Sequence, residues 1–310
     1  MPSPLQDPSK WTEYLTSLCH PTPSPSPAPA HTLNSSPFNA RADSLRSSAE
    51  TLNEPFTLEH VETHLAALHV NRSPCLTGLP AEFFRGAWIM KQLEHGTFVR
   101  AYTLAPVLTD ICNALFRSGS LPESLNTALL TPVYKRGDPL THDNYRPIAV
   151  GEPLYRLYAA LLNSRLITWT EEEGLRSQAQ AGFRPGKSTL HQLFVLRHAI
   201  DKHAHRHQPL FACFVDLRKA FDKVQHGLLW KVLDLLGIHG RMRVAIQSLY
   251  NNARLRVKVD GRAGDAQHPQ IGVKQGCPMS STLFGLVIDA LEHHLRTEVP
   301  GGGCSWRRIS

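Results

Sequence analysis

Phe214-Val215-Asp216-Leu217-Arg218-Lys219-Ala220-Phe221-Asp222 holds the sharpest change of pattern in the 310-residue chain. The run leading into it, Leu210-Phe211-Ala212-Cys213-Phe214-Val215, is apolar throughout. Such a run predicts a strand buried on both faces, central in a sheet. It ends on a carboxylate, and the chain breaks toward a helix start at Asp222. A carboxylate at a strand end points into the crevice where ligands collect, and it suits a hard cation such as Mg2+. The plainer reading is that Asp216 ends the strand and Asp222 caps the next helix. The stretch alone leaves both open.

Downstream, Arg254-Leu255-Arg256-Val257-Lys258-Val259 alternates cations with aliphatics, which places the two kinds on opposite faces of a strand. Asp260-Gly261 is a type I′ turn signal, and a return strand is expected to reach Ile271-Gly272-Val273. Residues 254–273 thus form a basic hairpin, whose three cations either keep an edge soluble or wall a groove for phosphates. Gly272-Val273-Lys274-Gln275-Gly276-Cys277-Pro278-Met279-Ser280 then runs into an apolar helix. Its glycines permit a close backbone approach to a ligand, or an ordinary strand–loop–helix joint.

Upstream, Leu129–Tyr134 is a short apolar strand opening into Lys135-Arg136-Gly137-Asp138. Apolar spacing predicts helices at about 57–68, 103–117, 153–168, 188–206, 223–236, 240–251 and 281–296, the first capped by Thr57. Gly182-Phe183-Arg184-Pro185-Gly186-Lys187-Ser188-Thr189 is not a P-loop, since Ala181 stands where a glycine is needed and no strand precedes it. Gly186 and Ser188 mark a turn and cap, leaving Arg184 and Lys187 exposed. His203, His205 and His207 do not share a helical face, so they form no metal site. Helices mixed with few strands give an α+β class.

Charge is uneven. Residues 1–55 carry 3 basic and 5 acidic side chains, against a whole-chain balance of +7. Eight prolines fall in the first 29 residues, so residues 1–55 are expected to be a Pro/Ser-rich leader without packed structure. The basic remainder points to an anionic partner, nucleic acid first. Six scattered cysteines without a CxxC pair argue against a zinc site or disulfide scaffold. The absence of a signal-peptide pattern and of a long apolar run leads to an expected intracellular location, nuclear or cytoplasmic, without secretion or membrane contact.

In order and spacing, these segments resemble the reverse transcriptase domain of non-LTR (LINE-type) retrotransposons over about residues 56–295. Leu130 to Asp138 with Asn144-Tyr145-Arg146-Pro147-Ile148 look like the fingers segment. Gln180-Ala181-Gly182-Phe183-Arg184 with Ser188-Thr189 resembles the stretch before the palm. Phe214 to Asp222 and Gly272 to Phe284 are similar to two palm motifs. The resemblance implies a right-hand polymerase, with upstream helices and fingers at 56–209, a partial palm at 210–295 and no thumb. It implies RNA-directed DNA polymerisation, in which dNTPs are added to a DNA primer on an RNA template by two-Mg2+ phosphoryl transfer. Asp216 and the backbone carbonyl of Leu217 would then hold metal. Lys135, Arg146, Phe221 and Gln275 would hold the dNTP. Arg184, Gly276, Pro278, Arg254, Arg256 and Lys258 would face template or primer.

The chain departs from the family pattern in three places. No Tyr-Ala-Asp-Asp sequence is present, Ser73 to Gly78 replaces the family's P-G-x-D-G, and residues 296–310 read as a non-family tail. The expectation is a product truncated before the second carboxylate motif, with little or no polymerase activity. A non-catalytic RNA- or DNA-binding remnant is the alternative. The strand ending at Asp216, lacking its neighbour, is expected to leave an exposed apolar edge.

Overall fold

The computed structural model describes residues 7–20, 42–70, 75–86, 88–92 and 96–298. Ser73, Pro74 and residues 299–310 lie outside them. In chain order the elements are α1 (Pro8–Cys19), α2 (Ala42–Ser48), α3 (Leu58–Ala66), α4 (Ala81–Arg85), β1 (Trp88–Gln92), β2 (Phe98–Tyr102), α5 (Ala105–Ser118) and α6 (Glu123–Asn126). Then come β3 (Thr127–Tyr134), β4 (Tyr145–Val150), α7 (Pro153–Glu172), α8 (Thr189–His205), α9 (His226–Leu235), α10 (Gly240–Asn251), β5 (Arg254–Val259), β6 (Arg262–Ala263) and α11 (Ser280–Glu298). The class is α+β.

Local chemistry accounts for the boundaries. Thr57 and His60 form a reciprocal capping box at the start of α3. Gly119, at φ 62°, ends α5 with its N–H on the Leu115 carbonyl. Asp260 and Gly261 both take positive φ, as a type I′ turn requires.

The main sheet runs β4-β3-β5-β6. β3 pairs antiparallel with β4, placing Val133 opposite Arg146 and Leu130 opposite Ala149. It pairs parallel with β5, placing Leu130 beside Val257. The larger core joins Phe116 of α5, Leu162 and Leu166 of α7, Leu233 of α9, Ile246 and Leu249 of α10, and Leu283 of α11. A smaller core lies on one sheet face, where Leu130, Ala149, Leu255 and Val257 meet Trp11, Leu15 and Cys19 of α1.

That second core corrects the expectation of an unstructured leader. α1, α2 and the 3-10 turn Ala49–Asn53 all pack, with Leu45, Ala49 and Leu52 inside the larger core. Trp11, Leu15 and Cys19 recur every fourth residue, a stripe that reaches one face of a helix. Asp7 accepts from the Ser9 N–H at the helix start, and Pro8 occupies the first turn, where a missing N–H costs nothing. Burying Trp11 and Leu15 is worth about 1.5–3 kcal/mol each, which outweighs the Pro-rich context.

Two further expectations are corrected, and one helix forms in place without a buried face. Leu210–Val215 is not a strand and pairs with none of the described strands, with Phe211 91% and Phe214 83% exposed. An apolar run becomes a central strand only when other strands flank it, and none of the described sheet lies alongside. α8 forms where expected but buries none of its residues, leaving Leu190 and Phe194 outward. The basic hairpin returns only as far as Ala263, and beyond it a single bridge, Leu255 to Gln267, continues the pairing.

Candidate functional site

The joint between the Asp222 turn and the loop before α11 is the best-defined part of the site. The Gly272 N–H donates to the Val224 carbonyl and the Val273 N–H to the Phe221 carbonyl, each at 2.8 Å. On the other side, the Ala149 N–H of β4 donates to the Gln275 carbonyl at 2.6 Å. Gly276 sits at φ 114°, and a Cβ there would collide with the Ala149 carbonyl. Gly272, at φ 87°, packs closely, though less tightly, on the Asp222 backbone. The glycines therefore serve close approach of the chain to itself.

This joint brings three expected residues together. Gln275 Nε2 donates to Asp222 Oδ1 at 2.8 Å. Phe221 stacks on Phe284 of α11, with centroids 4.8 Å apart, and meets the edge of Phe183. Asp222 was expected to cap a helix; it lies instead in the 3-10 turn Phe221–Lys223, and α9 starts after Gln225 without a side-chain cap. Burial raises the Asp222 carboxyl above its ordinary range, opposed by Gln275 and by the charges of Lys219 and Lys135.

Beneath Gln275 lies a residue that sequence reasoning missed. Lys274 is buried, its ammonium 2.6 Å from Asn126 Oδ1 and 3.4 Å from the Tyr155 hydroxyl, and 4.6 Å above the Tyr155 ring. Asn126 is fixed in turn by the Ser248 carbonyl, and Tyr155 donates to Cys277 Sγ. Burial without a carboxylate partner lowers the Lys274 pKa to about 8. Nothing in Val273-Lys274-Gln275 distinguishes this lysine from a surface one.

The remaining expected residues are placed apart. Lys135 and Arg146 are exposed at the β3–β4 end, where the Lys135 N–H extends the ladder to the Asn144 carbonyl. Strand alternation sets Arg146 and Val133 on the face opposite α1. Asp216 and Leu217 are exposed within the unpaired stretch. Gly276 is exposed and Pro278 half-buried. On β5, Arg254 lies 3.5 Å from Glu123, Arg256 donates to the Gly264 carbonyl, and Lys258 is exposed.

Arg184 requires correction. It is buried, forked onto both carboxylate oxygens of Glu171 and bonded to the Ser177 and Gln180 carbonyls. A buried guanidinium with four of its five N–H donors so used tethers a loop to α7 and is not presented to a template. Among the described residues, no group of three or more His, Cys, Asp or Glu side chains could hold a metal ion. No described helix is long and apolar enough to cross a membrane.

Residues 133–306 match the family model for reverse transcriptase (RNA-dependent DNA polymerase). The chain belongs to the reverse transcriptase family. The match begins within β3 and runs past residue 295, where the motif reading stops. A transposon TX1 uncharacterized 149 kDa protein of Xenopus laevis is 28% identical over 254 residues, 81% of this chain and 18% of that protein. The RNA-directed DNA polymerase from mobile element jockey of Drosophila funebris is 30% identical over 182 residues, 58% of this chain and 20% of its own length. A Pol polyprotein from the type-2 retrotransposable element R2DM of Drosophila melanogaster is 28% identical over 197 residues, 62% of this chain and 18% of the polyprotein. This reverse transcriptase domain thus belongs with those of non-LTR retrotransposons. It spans about a fifth of the length of these relatives.

Proposed function

We propose that the chain supplies the fingers and the first part of the palm of a retroelement polymerase, holding RNA template, DNA primer and dNTP. The observation that carries this reading is the Phe221–Asp222–Gln275 joint, bonded to the strand that also carries Arg146. Phe221 and Gln275 would meet the sugar and base edge of an incoming nucleotide. Lys135 and Arg146, free at the β3–β4 end, would hold its phosphates, where fixed cations offset negative charge. Gly276, Pro278 and the cations of β5 would follow the template or primer.

The donors do not fit a two-Mg2+ centre. Asp216 offers one carboxylate and Leu217 one carbonyl, whereas hard divalent cations take six or more oxygen ligands, usually with several carboxylates between two ions. Binding is therefore assigned to the described residues and nucleotidyl transfer is not. This favours the non-catalytic reading for the chain in isolation.

Two measurements test the proposal. With primed RNA, dNTPs and Mg2+, extension should not exceed that of an Asp216→Ala control; extension well above it refutes the shortfall of metal ligands. RNA affinity should fall with salt by roughly 0.7 log units per log unit for each phosphate neutralised, and Arg254→Ala with Arg256→Ala should flatten that slope. An unchanged slope would assign those cations to solubility.

A further inference from the structure

β1 and β2 form a two-stranded hairpin of their own, outside the main sheet. Every residue of β1 is exposed. Tyr102, at the base of β2, enters the larger core, and its N–H donates to Glu62 Oε1 of α3 at 3.3 Å. A hairpin of two strands is marginal in water by itself. Large apolar side chains left outward on one mark a contact surface.

The register puts those side chains together. Trp88, Met90 and Gln92 share one face with their cross-strand partners Tyr102, Arg100 and Phe98. Beyond Tyr102 that face is open: Trp88 is 43%, Met90 55% and Phe98 58% exposed. The Arg100 guanidinium lies 4.4 Å from the Trp88 ring centroid, a cation–π contact. Phe98 is the next residue along β2 on the same face, about 7 Å from Arg100. Among the described residues of the hairpin the charged side chains are Lys91 and Arg100, both cations; Glu94, between the strands in sequence, lies outside them.

We infer that the β1–β2 hairpin is a stacking platform for single-stranded RNA: bases lie on Phe98 and on the Arg100–Trp88 pair, and the Arg100 charge draws the backbone. Flat groups beside a fixed cation complement a chain of bases and phosphates, whereas a second copy would bring the same cations against them. A single strand is the form that fits, since a duplex keeps its base faces stacked within. The inference rests on the nucleic-acid reading above and adds a contact apart from Lys135, Arg146 and β5.

Fluorescence anisotropy of a labelled single-stranded RNA, titrated with the whole chain over a range of salt, tests this. Phe98→Ala should weaken binding by roughly tenfold with the salt slope unchanged, because stacking releases no counterion. Phe98→Tyr, which keeps the ring, should restore the affinity. Arg100→Ala should weaken binding and lower the slope by about 0.7. Native affinity in both Phe98→Ala and Trp88→Ala, each folded by circular dichroism, overturns the inference and leaves the binding proposal standing. So does self-association in sedimentation that Phe98→Ala abolishes while RNA affinity holds, which gives the face to a second copy. If the native chain binds no RNA, both fail.

Discussion

The loop 272–279 and the stretch 207–217 carry the two strongest motifs of the chain, yet one is knit into the fold and the other is bare. The loop draws its contacts from single residues already in place: Val224, Phe221, Asp222, His226, Ala149, Asn126 and Tyr155 each supply an atom to it. The stretch 207–217 asks for something else. A central strand satisfies two edges and two faces at once, so it forms only with neighbours on both sides. A glycine-rich joint is thus locally sufficient, whereas a strand is a collective state that no composition, however apolar, secures alone.

The largest expected effect separates the two regions outright. Gly276→Ala combines a strained φ with a backbone collision and should destabilise by roughly 3 kcal/mol in urea unfolding. Phe211→Ala, in the bare stretch, should stay within about 0.5 kcal/mol. Equal losses would erase the contrast.

Lys274 sharpens the comparison through pH. Its folded pKa of about 8 lies below the ordinary 10.5, so the fold favours the neutral amine. The cost of burying the charged form is complete below pH 8 and is relieved as pH rises toward 10.5. Stability of the native chain relative to Lys274→Met should therefore grow over that window, by up to about 3 kcal/mol. Comparing the two chains removes the common titration of cysteines and tyrosines. A difference that stays flat from pH 7.5 to 9.5 would show that the loop does not rest on this amine.

The smallest effect concerns Asp143, which joins Arg218 and Lys219, just past the bare stretch, to α1. Lys219 and Tyr14 hold its carboxyl down at about 2. A depressed acid contributes stability above its unfolded pKa, near 4, and loses it as pH falls toward 2. Asp143→Asn should loosen α1 already at neutral pH, read as faster exchange in residues 8–19 with global stability little changed. Unaltered exchange would detach α1 from these charges.

Much of this was legible beforehand. Apolar spacing locates α3, α5 and α7 through α11, Thr57 does cap α3, and Asp260-Gly261 does turn β5. The buried face of α5 carries Leu108, Cys112 and Phe116, and Phe116 meets Phe56. Family membership is readable from motif order alone. What escapes is set by partners distant in the chain. Arg184 looks free until Glu171, on α7, comes within reach. Lys274 looks solvated until Asn126 and Tyr155 close over it. α1 hides because prolines dominate its surroundings, although Asp7-Pro8 and the Trp11, Leu15, Cys19 spacing announce it.

The bare stretch has one more consequence. Phe211 and Phe214 stand exposed in unpaired backbone that a chymotrypsin-like protease can thread through its cleft. A nick there parts the covalent chain and little else. β3 still pairs with β5 across the cut, α10 still packs on α5 and α7, and the Gln275 carbonyl still holds β4. The described molecule is in effect two interlocking pieces joined across 207–217, which two separately made polypeptides could rebuild by finding each other.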